Sequence, residues 1–97
     1  MDQLLRPRSD DITLTIFSRP GCHLCHEMRL VVERVVRDLG TAARIDEVDI
    51  EGDDALEARY GSEIPVLLIN GKRAAKYRVS EADLRRRLLA GGARAEN

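Results

Sequence analysis

Ser18-Arg19-Pro20-Gly21-Cys22-His23-Leu24-Cys25 is where one hydrophobic period gives way to another. On the N-terminal side Ile12, Leu14 and Ile16 alternate with Thr13 and Thr15, the two-residue period of a β-strand over residues 11–17. On the C-terminal side Cys25, Met28, Val32, Val35 and Leu39 recur at steps of three and four. That spacing predicts a helix over residues 22–39 with one apolar stripe, widened by Val31 and Val36 and ended by Gly40. Pro20-Gly21 punctuates the change. Cys22 and Cys25 therefore fall at the opening of a helix, one above the other. Their Cα atoms are expected roughly 5 Å apart, within reach of a disulfide. Unpaired N–H groups and the positive end of the helix dipole favour a thiolate there. A reversible dithiol–disulfide centre needs this arrangement.

The chain of 97 residues has no other cysteine, and two are too few for the framework of a disulfide-stapled secreted domain. Its length suits one domain with a single modest core, expected over residues 11–90 between a loose segment 1–10 and a frayed tail 91–97. A formal charge of -1 supplies no strong field for nucleic acid. No apolar run is long enough to span a membrane. The opening MDQLLRPRSDD carries charges where a secretory signal has its apolar segment, so a cytoplasmic monomer is the expectation.

Farther along, residues 43–50 read as a second strand, its Arg44, Asp46, Glu47 and Asp49 suited to a sheet edge. A short helix is expected over residues 54–60, stopped by Gly61. Val66–Ile69 is a run of four apolar residues fit for a strand buried on both faces. Asn70-Gly71 predicts a type I′ hairpin into a strand over residues 72–77. Ser80 is placed to cap a last helix, with Asp83 closing a capping box and Val79 stapled onto Leu84. Leu84, Leu88 and Leu89 are expected to face the core. The order β-α-β-α-β-β-α implies a mixed four-stranded sheet flanked by helices, the apolar strands central and the charged ones at its edges.

With Val48-Asp49-Ile50, Tyr60-Gly61, Ile64-Pro65-Val66 and Asn70-Gly71 added to the opening stretch, the chain resembles the thioredoxin superfamily. Within it, the likeness is to small glutaredoxin-like proteins and runs over about residues 12–89. The resemblance implies an α/β, thioredoxin-like fold of the glutaredoxin type. It implies that Cys22 is the exposed nucleophile and Cys25 the resolving thiol of a thiol–disulfide oxidoreductase. It further implies that Pro65 follows a cis peptide and that the Ile64 backbone pairs with an extended substrate. Protein disulfides are the expected substrates, and glutathione or a thioredoxin-reductase-type donor the expected thiol reductant. No cofactor or metal is assigned.

Two departures qualify the likeness. Glutaredoxins usually hold glutathione with a Gly-Gly and an acid after the last strand, where this chain has Tyr77-Arg78-Val79-Ser80-Glu81. Thioredoxins carry an aromatic before the first cysteine and a buried acid six residues before it, where Gly21 and Ile16 stand.

Other uses of the same residues stay open at this point. Cys22-His23-Leu24-Cys25-His26 also fits the C-x-x-C-H haem-attachment spacing, although three aromatics are few for a haem pocket. Two Cys and two His within five residues contain zinc-ligand types, and a metal or iron–sulfur cluster shared between chains would use them too. A thioredoxin-fold module that only binds a metal, cluster or partner is the non-catalytic alternative. Inert cysteines are the plainest reading. His23, beside the nucleophile, would stabilise a thiolate when charged, and Arg19 is a second modulating candidate. Arg73, Lys76, Arg78 and Arg85–Arg87 form a basic set that would suit an acidic partner.

Overall fold

The structure, a computed structural model, describes residues 12–92. Residues 1–11, which include the expected loose segment 1–10, and tail residues 93–97 lie outside the described residues. The elements run β1 (Ile12–Ser18), α1 (His23–Leu39), β2 (Ala43–Asp49), α2 (Asp54–Tyr60), β3 (Val66–Ile69), β4 (Lys72–Lys76) and α3 (Glu81–Arg87). A π-helical turn, Leu88–Gly92, continues α3. The sheet has four strands in the order β2-β1-β3-β4. β1 pairs with β2 in parallel, while β1–β3 and β3–β4 are antiparallel. The expected architecture is thus the one observed, with the two apolar strands inside.

Each face of the sheet carries its own core. Ile12, Leu14 and Ile16 of β1 turn to one side, against Met28, Val32 and Val35 of α1 and Leu84 and Leu88 at the chain's C-terminal end. Phe17 and Val66 turn to the other, with Ile50 and Tyr60. Phe17 and Tyr60 stack with ring centroids 4.3 Å apart. Alternation in β1 places its residues on both faces: Ile12, Leu14 and Ile16 are buried on one, while Thr13 and Thr15 on the other are half-buried. Among the described residues no helix is long and apolar enough to cross a membrane.

Several local expectations need correction. β1, described from Ile12 onward, extends through Ser18, because Ser18 still pairs with Asp49 of β2. β4 stops at Lys76: Tyr77 takes a positive φ of 67°, which no strand accommodates. Gly61 ends α2 in right-handed geometry, φ -54°, so it is not a left-handed stop. Ser80 does cap α3, its hydroxyl accepting from the Asp83 N–H at 3.0 Å. Asp83 does not return the bond, since its carboxylate is occupied by Arg86 and Arg87. Leu84 and Leu88 are buried, whereas Leu89 is 52% exposed. From Leu84, four steps of about 100° bring Leu88 back to the same face, and the fifth carries Leu89 away from it. Gly91 and Gly92 belong to the closing turn, not to a tail.

Candidate redox site

Gly21, at φ 77°, turns the chain sharply out of β1. The Cys22 N–H then donates to the Arg19 carbonyl at 3.3 Å, closing a turn over residues 19–22. Cys22 itself is the N-cap of α1, in extended conformation with φ -86° and ψ 109°. Its sulfur accepts from the Cys25 N–H at 3.1 Å, the position an Oγ or carboxylate oxygen fills in ordinary caps. The first turn of α1 has no acidic residue to offset the helix dipole. A helix N-cap of this kind is where unpaired N–H groups and the helix dipole favour negative charge in general.

The two sulfurs are bonded at 2.11 Å, with Cα atoms 5.2 Å apart as the sequence spacing requires. Cys25 is 2% exposed and anchors the apolar stripe of α1, while Cys22 is half-buried. The residue at the helix cap is thus the more accessible of the two. Such asymmetry is what a two-step exchange uses.

Phe17 of β1 pairs with Val66 of β3, so Pro65 lies level with Ser18, where the cysteine loop begins. The Ile64-Pro65 peptide is cis, as the resemblance implies, and Pro65 is fully buried. Its carbonyl accepts from the Tyr77 N–H at 2.7 Å, and the Tyr77 hydroxyl donates to the Ser62 carbonyl at 3.0 Å. Tyr77 thus braces the segment from its outer side. Nothing in the sequence around Tyr77 signals this role, which depends on its positive φ and on contacts 12 and 15 residues back.

The two modulating candidates are both engaged. His23 is 82% exposed and pairs with Glu27 at 2.8 Å, one helical turn on. The Arg19 guanidinium is bidentate to Glu57, at 2.8 and 3.0 Å, and also reaches the Gly61 carbonyl at 3.1 Å. Its charge is shared with a carboxylate on α2 and is not held free for Cys22. The basic set is likewise internal. Arg73 and Lys76 pair with Glu63, Arg78 with Glu27, Arg85 with Asp38, and Arg86 and Arg87 with Asp83.

Two hollows flank the N-terminal turn of α1. One, about 420 Å³, is polar and bounded by Cys22, Cys25, His26, Arg29 and Glu47. Arg29 bridges Glu33 on α1 and Glu47 on β2, and hydrogen bonds to those two carboxylates hold its guanidinium further above its already high range. The buried Ser18 hydroxyl donates to the other oxygen of Glu47 at 3.0 Å. The second hollow, about 240 Å³, is an apolar groove formed by Leu24, Met28, Val31, Tyr77 and Val79, with Glu27 and Arg78 at its rim.

A four-stranded mixed sheet whose first strand runs through a C-x-x-C cap into a long helix defines a thioredoxin-like fold. Solved structures agree. The X-ray structure of protein XcR50 from X. campestris superposes with a TM-score of 0.67 at 31% identity, over 79% of this chain and 96% of that one. A mutant thioredoxin from Halobacterium salinarum NRC-1 gives a TM-score of 0.61 at 23% identity, over 87% and 78% of the two chains, a likeness of fold alone. Among curated relatives, a glutaredoxin-like protein from Dictyostelium discoideum, the YDR286C homolog, is 29% identical over 77 residues, covering 75% of this chain and 71% of its own length. Residues 13–89 match the family described as Glutaredoxin-like domain (DUF836), and the chain belongs to it.

Proposed function

We propose that the protein is a thiol–disulfide oxidoreductase that reduces protein disulfides with the Cys22/Cys25 pair. The observation that carries this reading is the cap geometry: an accessible sulfur at the helix N-terminus, bonded to a buried one three residues on. In the reduced protein the Cys22 thiolate attacks one sulfur of a substrate disulfide. The substrate S–S bond breaks, a mixed disulfide forms, and the departing thiolate takes a proton from water. Cys25 then gives up its proton and attacks the Cys22 sulfur. The Cys22–Cys25 bond forms and the second substrate thiolate leaves. The substrate gains two electrons and the protein loses two. A thiol reductant, glutathione or a thioredoxin-reductase-type donor, restores the dithiol, a cycle suited to a monomer in the reducing cytoplasm.

Substrate is held by the backbone of Ile64, which precedes the cis peptide and has no hydrogen-bond partner among the described residues. An extended segment pairing there would bring its disulfide toward Cys22. Insulin reduction with dithiothreitol tests the activity. Cys22→Ser is expected to abolish turnover, and Cys25→Ser to accumulate a mixed disulfide visible by mass spectrometry. Equal trapping by both variants would reverse or remove the assignment of roles.

A further inference from the structure

We propose that Arg19 is a positioning residue for protein substrates, a clamp that fixes the cysteine loop relative to the Ile64-Pro65 segment. The proposal rests on the dithiol reading of the site given above. Arg19 acts through both its backbone and its side chain. Its carbonyl receives the Cys22 N–H at 3.3 Å, while its guanidinium crosses to Glu57 and to the Gly61 carbonyl. Gly61 opens the five-residue stretch that leads through Ser62, Glu63 and Ile64 to Pro65. That stretch is braced on its far side by Tyr77 and on its near side by Arg19.

The near-side contact is tight. A Cβ on Gly61 would lie 2.5 Å from the Glu57 carbonyl and 3.4 Å from an Arg19 terminal nitrogen. The absence of a side chain leaves room for the Glu57 carboxylate that holds the guanidinium, a carboxylate that a Cβ would meet at 2.9 Å. A planar fork is also needed, because one cation satisfies two carboxylate oxygens and a carbonyl at once; an ammonium cannot reproduce that geometry. A substrate segment paired with Ile64 must present its sulfur to Cys22. Both walls therefore have to keep one separation, and small losses of registration slow such reactions steeply.

A clamp and a charge effect on the thiolate make opposite predictions. Were Arg19 acting by its charge, Arg19→Met would raise the pH midpoint of Cys22 alkylation, and Glu57→Gln, freeing that charge, would lower it. Arg19→Lys would behave like wild type. For the clamp, Arg19→Met, Arg19→Lys and Glu57→Gln all act in the same direction. Each is expected to raise the KM for insulin about threefold to tenfold, a loss of the order of one ordinary net hydrogen bond. The alkylation midpoint should stay at the wild-type value in all three.

The measurements are insulin and 2-hydroxyethyl disulfide reduction with dithiothreitol, together with iodoacetamide alkylation against pH. Arg19→Lys, which keeps the stem and charge, guards against simple loss of the fold. Opposite midpoint shifts in Arg19→Met and Glu57→Gln, or wild-type insulin kinetics in Arg19→Lys, overturn the clamp. A wild-type protein that reduces neither disulfide overturns the site reading instead, so the two failures are told apart.

Discussion

Gly61 shows how much one hydrogen atom in place of a methyl can matter. Its φ of -54° is ordinary, so no backbone strain demands glycine. The demand comes from the Glu57 carbonyl and carboxylate, 2.5 and 2.9 Å from where a Cβ would stand. Gly61→Ala must push the last turn of α2 outward and is expected to cost about 1–3 kcal/mol, read as a lower urea midpoint at unchanged slope. A change within a few tenths of a kcal/mol would mean that the approach is not close. The cysteines, by contrast, are legible from the chain alone, since spacing and helix phase are local and fix their separation. Arg19 is only half legible. Its nearness to Cys22 in sequence points to a thiolate effect, whereas its partners Glu57 and Gly61 lie 38 and 42 residues away. Only the folded chain brings them together. His23 loses its imagined freedom for a nearer reason, an i,i+4 carboxylate that the sequence already contains.

Elements with a strong period are the ones the sequence announces most clearly. α1 buries Cys25, Met28, Val32 and Val35 as its spacing requires, and Gly40 closes it at φ 64°. The Asn70-Gly71 turn has both residues at positive φ, 51° and 84°, as a type I′ hairpin demands. α3 is less predictable because side chains compete for the same acceptor. Asp83 stands where a capping box would use it, yet three arginines follow, and two of them, Arg86 and Arg87, capture its carboxylate. The hydrogen bond from Arg87 and the neighbouring guanidinium charges hold that carboxyl below its usual range. A depressed folded-state value stabilises the helix above the unfolded-state value of about 4 and ceases to do so as pH falls through the folded one. Asp83→Asn should therefore be less stable than wild type at pH 7 and indistinguishable from it once the Asp83 carboxyl of the wild type is fully protonated in acid. A gap that persists unchanged at low pH would assign the effect to shape, not charge. Removing the cap is a separate matter: Ser80→Ala should lower stability by about 1 kcal/mol at any pH, as urea titration at pH 7 and in acid can check.

For the molecule as a whole, the question is whether the fold survives the chemistry proposed for it. A cycle between dithiol and disulfide requires both forms to remain folded, so the bond must not be what holds the chain together. Loop closure bears this out in magnitude. Cys22 and Cys25 are separated by three positions, and a cross-link over so short a loop restrains the unfolded chain by only about 2 kcal/mol. The two cores do not depend on it. Leu14, Ile16, Val32, Val35, Leu67 and Leu84 on one face, and Ile50 and Val66 on the other, are all at zero exposure. Truncating any one of the larger of these to alanine is worth about 2–5 kcal/mol, as much as the disulfide or more. Reduction should accordingly lower the melting temperature by roughly 8–16 °C at most for a domain of this size and leave the far-ultraviolet circular dichroism at 25 °C unchanged. Leu14→Ala, in the oxidised state, should fall at least as far. The same thermal scans with and without dithiothreitol decide it: a reduced protein unfolded at 25 °C would make the bond a structural staple, and a staple cannot turn over as a reductant.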